Sequence, residues 1–235
     1  MTSEERREEL ATRLDDVRRR IAEACAAADR DVEEVMLVVV TKFFPASDVR
    51  LLAGLGVRDV GENRHQEAQA KAEELADLDL SWHFIGGLQS NKAAAVATYA
   101  DAVHSLDRPK LVTGLGRGAT ERGRDLDVLV QVSLDPPGAE GRAGADEADV
   151  AALAERVAQA DGLVLRGVMG VAPLGGDAGQ AFEGLARIAA DVRREHPSAT
   201  WISAGMSGDL DQAIRHGATH LRIGSAVLGP RPTVK

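Results

Sequence analysis

Lys42 closes the hydrophobic run Val35-Met36-Leu37-Val38-Val39-Val40-Thr41, and Phe43, Phe44 and Pro45 follow it. A run so rich in β-branched residues reads as a buried strand. An ammonium buried without a partner is costly, and the usual outcome is a lowered pKa and a neutral amine. A neutral amine held in place can form a Schiff base with an aldehyde. The plainer alternative is a lysine that leaves its strand and reaches water. Near the other end of the chain, Gly205-Met206-Ser207-Gly208-Asp209 leads into a helical pattern, and Gly224-Ser225-Ala226 forms a second small-residue turn. Free N–H groups and hydroxyls at such turns bind phosphate. Taken singly, Gly-x-Ser-Gly is more often a helix cap than a phosphate cradle; paired with the Gly-Ser of the second turn, it favours phosphate binding. Arg222 stands just before the second turn and adds a permanent cation.

The elements that must position these groups follow one grammar: an apolar strand, a polar tip, then an Ala- and charge-rich helix. After the Lys42 strand, tips fall at Asp59–Asn63, Trp82–Gly86, Ala102–Ser105, Val128–Val132, Leu165–Gly170, Thr200–Ala204 and His220–Gly224, eight strands in all. Helical patterns run from Ala46 to Leu55, Arg64 to Leu75, Lys92 to Tyr99, Asp146 to Ala160, Gln180 to Glu195 and Asp209 to His216. The glycine-rich patch from Gly114 to Gly123 is expected to break or loosen a helix. Residues 3–29 form an amphipathic helix, with Leu10, Leu14, Val17, Ile21 and Ala24 on one face. Alternating strands and helices imply parallel pairing through right-handed crossovers. At this length a (β/α)8 TIM barrel over residues 35–230, preceded by that extra helix, is the leading architecture. An open doubly wound sheet lacks its expected dinucleotide loop after the first strand. No boundary divides residues 1–235, so one domain is expected. The 133–146 loop, Pro- and Gly-rich, reads as a mobile flap on the catalytic rim.

In such a barrel the carboxyl ends of the strands converge on one pocket. Lys42, Asn63, His83, Ser203, Met206, Ser207, Arg222, Gly224 and Ser225 are therefore candidate pocket groups. An amine on the first strand, a phosphate grip on the last two and an arginine between them suit a particular ligand. It has an aldehyde at one end, a phosphate at the other and a polar ring between, which is the layout of pyridoxal 5′-phosphate (PLP).

Composition narrows the classes. The chain has 235 residues and a net charge of -9, which argues against a generic nucleic-acid binder. The single cysteine, Cys25, excludes internal disulfides and multi-cysteine metal sites. The six histidines are scattered along the chain without metal-ligand spacing. The N-terminus is polar, and no apolar stretch could span a bilayer, so a cytoplasmic protein is expected. No long exposed apolar stripe demands a partner, so a monomer is expected. Lys92 and Arg142 near the rim could meet a second anion, but such residues are usually solvated.

The chain resembles the pyridoxal phosphate homeostasis proteins (YggS/PROSC type), which share the barrel of the alanine racemase N-terminal domain, a fold-type III PLP-protein barrel. The resemblance covers nearly the whole chain. It rests on Val39-Val40-Thr41-Lys42, Gly61-Glu62-Asn63, Trp82-His83-Phe84-Ile85-Gly86 with Leu88-Gln89-Ser90-Asn91-Lys92, Gly205-Met206-Ser207, and Arg222-Ile223-Gly224-Ser225. It implies that Lys42 is the Schiff-base lysine. Ser207, Gly224 and Ser225 would hold the phosphate with backbone help from Met206, Arg222 would face the pyridine nitrogen, and Asn63 would lie beside the cofactor. Phe43-Phe44-Pro45 departs from the commoner Thr-Lys-Pro type of tail, and Gly87 stands where proline is frequent. Neither change removes a polar ligand.

A permanent cation beside the ring nitrogen discourages its protonation and weakens the electron sink that carbanion chemistry needs. The structural alternative is that Arg222 pairs with a barrel acid such as Glu62. A racemase needs two bases, one on each face of the substrate carbon. Lys42 could be one. The resemblance implies that the other is a tyrosine from a second domain, for which the chain, ending soon after its eighth strand, leaves no room. The only tyrosine here, Tyr99, is expected away from the mouth, and Cys25 is no better placed. The leading expectation is thus a PLP-binding protein that carries PLP to apo PLP-dependent enzymes rather than a robust catalyst. A PLP-dependent racemase and a phosphosugar aldolase-like barrel are the alternatives.

Overall fold

The Val- and Leu-rich runs each form a short parallel strand. In the computed structural model, which describes residues 2–135 and 143–231, these are β1 (Met36–Val40), β2 (Asp59–Glu62), β3 (Ser81–Phe84), β4 (Ala102–Leu106), β5 (Leu126–Gln131), β6 (Leu163–Met169), β7 (Trp201–Ser203) and β8 (His220–Ile223). They pair in chain order, and β8 returns to β1 to close an eight-stranded barrel. The closing register sets Met36 against His220, Val38 against Arg222 and Val39 against Ile223. Side chains alternate along a strand, so Val38, Val40 and, beyond the strand, Lys42 share the face that Arg222 presents.

The connecting helices are α2 (Ala46–Gly54), α3 (His65–Glu74), α4 (Ala93–Ala97), α5 (Pro109–Arg122), α6 (Glu147–Ala158), α7 (Ala178–Glu195) and α8 (Leu210–Arg215), and a last turn, α9 (Ser225–Leu228), follows β8. The architecture is the (β/α)8 barrel with an extra N-terminal helix. That helix, α1 (Ser3–Ala27), begins with a reciprocal capping box. The Thr2 hydroxyl accepts from Glu5 N–H at 3.2 Å, and Glu5 Oε2 accepts from Thr2 N–H at 2.6 Å. Its apolar face buries Leu10, Leu14, Val17, Ile21, Ala24 and Cys25 and packs on α2, α8 and α9, covering the seam where the barrel closes. Among the described residues no helix is long and apolar enough to cross a membrane.

Two local expectations are corrected. The strand ends at Val40, so Lys42 sits in the turn beyond it rather than within it. The glycine-rich patch does not break a helix: α5 runs unbroken from Pro109 to Arg122. Its glycines serve packing instead. A Cβ on Gly114 would lie 2.7 Å from Ala93 Cβ, and one on Gly118 would lie 2.3 Å from the Ala94 carbonyl oxygen. The flap read over 133–146 lies partly outside the described residues, since 136–142 are not among them. Its flanks are joined where Val132 bridges Ala145 and Gln131 Nε2 donates to Ala143 O at 2.6 Å.

Gly118→Ala should therefore destabilise the protein by about 1–3 kcal/mol in urea denaturation, although alanine is the better helix former by about 1 kcal/mol. A stabilised variant would mean that α4 and α5 do not touch through their backbones.

Candidate functional site

The carboxyl ends of the strands enclose a cavity of about 390 Å³. Seven of the nine expected residues line it: Lys42, Asn63, Met206, Ser207, Arg222, Gly224 and Ser225. Lys42 is half-buried. Burial, then the neighbouring Arg231 and Arg64, pull its ammonium below the usual lysine pKa against the opposing pull of Glu62 and Glu67. Across the cavity the Ser207 and Ser225 hydroxyls stand 3.5 Å apart. The Met206 N–H is already committed to Asp209 Oδ1 at 2.6 Å, so Met206 lines the cavity without offering that donor. Asn63 is fixed from behind by Gly86, where a Cβ would lie 2.1 Å from the Asn63 carbonyl oxygen.

The turn that carries Lys42 is gripped by α3. Lys71 Nζ donates to Thr41 O at 2.9 Å, Glu62 Oε1 at 2.6 Å and Glu67 Oε1 at 2.8 Å. The Thr41 hydroxyl donates to Glu62 Oε1 at 2.6 Å, and the Phe43 N–H donates to Glu67 Oε1 at 2.6 Å. The residues on both sides of Lys42 are thus tied to one buried cluster. Phe43 takes a left-handed conformation, φ 71°, which costs about 1–3 kcal/mol for a residue with a side chain. The Glu67 bond helps to offset that strain. Outside the cluster, the guanidiniums of Arg64 and Arg231 lie 5.0 and 4.8 Å from the Phe43 ring centroid. Glu62 therefore does not pair with Arg222. It is one residue out of phase with Gly61 and faces α3. Burial pushes its carboxyl above the usual range, against the pull of Lys71.

His83 and Ser203 are not in the cavity lining. They lie beneath it, in the barrel interior with Arg222. Arg222 is 5% exposed; its Nη1 donates to Ser203 Oγ, and its Nη2 donates to Gly170 O at 2.8 Å. Burial lowers its pKa to about 10, with Asp209 opposing. Three of the six histidines scattered in sequence gather here. His83, His104 and His220 have ring centroids 5.1, 6.4 and 6.1 Å apart pairwise. Among the described residues no group of His, Cys, Asp or Glu is arranged to hold a metal. Tyr99 is not in the cavity lining either: it stacks on His65 at 5.8 Å, and burial raises its phenol pKa.

The sequence reading missed Lys71, Glu67 and His104. The four-residue spacing of Glu67 and Lys71 is a helical ion-pair signal, but nothing in it marks the pair as buried. His104 could have been found from its phase, since it lies two residues beyond Ala102 in the same strand and shares its face.

Chemically, the cavity joins an amine with depressed pKa, paired hydroxyls and a buried cation with unspent N–H groups. That donor set fits a ligand bearing an aldehyde, an anionic tail and a ring acceptor. Together the fold and site define a closed β/α barrel that gathers an amine, a hydroxyl pair and a buried cation at one cavity. Comparison with known proteins agrees. The family described as "Alanine racemase, N-terminal domain" matches residues 12–232. The pyridoxal phosphate homeostasis protein of Mycobacterium tuberculosis is 44% identical over 246 residues, covering 97% of this chain and 95% of that one. The structure of PipY from Synechococcus elongatus with PLP bound is 37% identical with a TM-score of 0.81, covering 94% of this chain and 100% of PipY. Alanine racemase from Corynebacterium glutamicum shares the fold alone, at 14% identity and a TM-score of 0.69 over 97% of this chain and 62% of that enzyme. The chain belongs to the pyridoxal phosphate homeostasis proteins, within the alanine racemase N-terminal-domain family.

Two outcomes follow for stability. Lys71→Met leaves the buried Glu62 carboxylate unpaired and should cost about 3–5 kcal/mol in urea denaturation. Adding Glu62→Gln should recover part of that loss, and a cost below about 1 kcal/mol for Lys71→Met alone would show the cluster to be solvated. His220, held neutral by burial with a pKa of about 3, takes up a proton on unfolding at any pH between that value and the ordinary imidazole pKa. Its folded pKa is depressed, so its contribution is complete at neutral pH and is lost as pH falls below about 6.5. Among the described residues the buried His220 Nε2 has no hydrogen-bond partner, so His220→Phe should be tolerated at pH 7. It should flatten the acid loss of stability by about 1.4 kcal/mol per pH unit. An unchanged slope would place His220 in contact with water.

Proposed function

We propose that the protein binds PLP as a Schiff base on Lys42 and acts in intracellular PLP homeostasis as a carrier rather than as a robust catalyst. The observation that carries this reading is the convergence of Lys42, Arg222 and the Ser207–Ser225 hydroxyl pair on one cavity. The PLP bound to PipY, a relative at 37% identity, supports it. In this assignment Lys42 supplies the amine that the aldehyde meets. Ser207 and Ser225, with the Gly224 turn, hold the phosphate. Asn63 flanks the ring and Arg222 meets its nitrogen. Bound PLP supplies an electrophilic carbon that another amine can reach, which makes release to apo-enzymes reversible. Among the described residues the exposed large apolar side chains are Val32, Met36, Leu174 and Met206, and so small a set supports a monomer.

Arg222 at the ring nitrogen weighs against transaminase-like chemistry, which favours a carboxylate there, and the want of a second base weighs against racemisation. Tyr99, the single tyrosine, is stacked on His65 instead of lining the cavity, so a second base is not supplied from there.

Protein loaded with PLP should show an imine absorbance band near the visible edge, and Lys42→Ala should abolish it. Borohydride trapping followed by peptide mass analysis should place one reduced pyridoxyl phosphate on Lys42. The mass of a phosphosugar there would favour an aldolase. Amino-acid racemisation at ~10 per second, the typical enzyme scale, would reject the carrier reading.

A further inference from the structure

Arg222 is a cation inside the barrel with no ion pair among the described residues. Such a charge needs compensation through hydrogen bonds. Its acceptor Ser203 Oγ contacts His104 Nδ1 at 2.8 Å. His104 Nε2 contacts His83 Nδ1 at 2.9 Å. His83 Nε2 contacts Asp59 Oδ1 at 3.1 Å. Ser203 and His104 are fully buried and His83 nearly so. Asp59 opens β2 at the opposite end of the barrel from the cavity and keeps part of its side chain in water.

The polarity of this chain can be deduced from its ends. A carboxylate only accepts, so His83 carries its proton on Nε2, and its Nδ1 accepts. His104 then donates from Nε2 and accepts at Nδ1, which leaves the Ser203 hydroxyl as donor to His104. Ser203 Oγ is thereby free to accept from Arg222, which can only donate. Every bond points the same way, from Arg222 to Asp59. The reverse order needs an imidazolium at His83, a second cation in the same dry interior as Arg222, and burial holds the adjoining His104 neutral. None of Ser203, His104, His83 or Asp59 lines the cavity, whereas Arg222 does.

We propose that Asp59, His83, His104 and Ser203 form a hydrogen-bond relay of fixed polarity that crosses the barrel and sets how strongly Arg222 donates to the ring nitrogen of bound PLP. They are positioning residues and do not touch the cofactor. The proposal rests on the reading that PLP is bound with Arg222 at its ring nitrogen. A hydroxyl that donates to a neutral imidazole is a better acceptor, and bonds in a chain strengthen one another by roughly 10–30% each. Anchored on the Asp59 charge, the relay draws Arg222 toward Ser203 and leaves its cavity-facing N–H groups weaker donors. The ring nitrogen is kept unprotonated by a buried cation whose charge is led away from it.

The test uses full-length protein loaded with PLP carrying ¹⁵N at the ring nitrogen. Asp59→Asn keeps an oxygen for His83 and removes the charge. It should move the ring-nitrogen signal upfield, toward that of a hydrogen-bonded pyridine. Ser203→Ala should also shift it, Ser203→Thr should restore it, and Asp59→Asn should add nothing in the Ser203→Ala background. If Ser203→Ala does not fold, His83→Phe serves as the cut, and Asp59→Asn should be silent there too. Additive shifts, or no shift from Asp59→Asn in a protein that still binds PLP, would overturn the relay. A wild-type protein whose labelled PLP gives only the free-ligand signal would instead overturn the PLP reading itself.

Discussion

The pairing of the first strand with the last is the constraint on which the rest of this molecule depends. Lys42 and Arg222 are far apart in sequence, and only the register of Val38 against Arg222 brings them to one cavity. A slip of one residue would turn every side chain of β1 to the opposite face. Lys42 would then point at α3, and Val39 would enter the interior. The N-terminal helix packs on α2, α8 and α9, so the same hydrophobic face that buries Leu10, Leu14 and Val17 also clamps the closing seam. Closure of the barrel and assembly of the site are one event.

Two polar clusters then refine what closure brings together. Behind the mouth, Lys71 with Glu62 and Glu67 holds the backbone on both sides of Lys42. Lys71 and Glu62 are removed from water, and Glu67 partly, so the cluster adds little net stability but makes any other arrangement expensive. It fixes a turn that Phe43 would not adopt alone. Under the floor, Arg222 is satisfied by Ser203 and a main-chain carbonyl rather than by a carboxylate. An acid placed directly against it would neutralise the charge. Satisfied by neutral acceptors, it remains a cation that a ring nitrogen can meet.

The barrel was legible because its signals are periodic and repeated. Eight apolar runs with helical patterns between them admit few topologies. The convergence of Lys42, Asn63, Met206, Ser207, Arg222, Gly224 and Ser225 follows from their places at strand ends. His83 and Ser203 were harder, because a residue at the end of a short strand can line the mouth or lie under it, and one pleat decides between them. Lys71 was not legible at all: its four-residue spacing from Glu67 is the same on a solvated helix face. The Gly114–Gly123 patch was misjudged for a related reason. Glycine weakens an isolated helix, but in α5 it admits the α4 backbone at distances that alanine forbids. Propensity is a local quantity, whereas close approach depends on a neighbour that local sequence does not name.

A crystal structure of the protein loaded with PLP addresses the central claim most directly. Closure of β1 on β8 should yield continuous density from Lys42 Nζ into the cofactor, with its phosphate against the Ser207 and Ser225 turns and its ring nitrogen toward Arg222. Density joined to a different lysine, or a phosphate seated away from those two turns, would contradict the account.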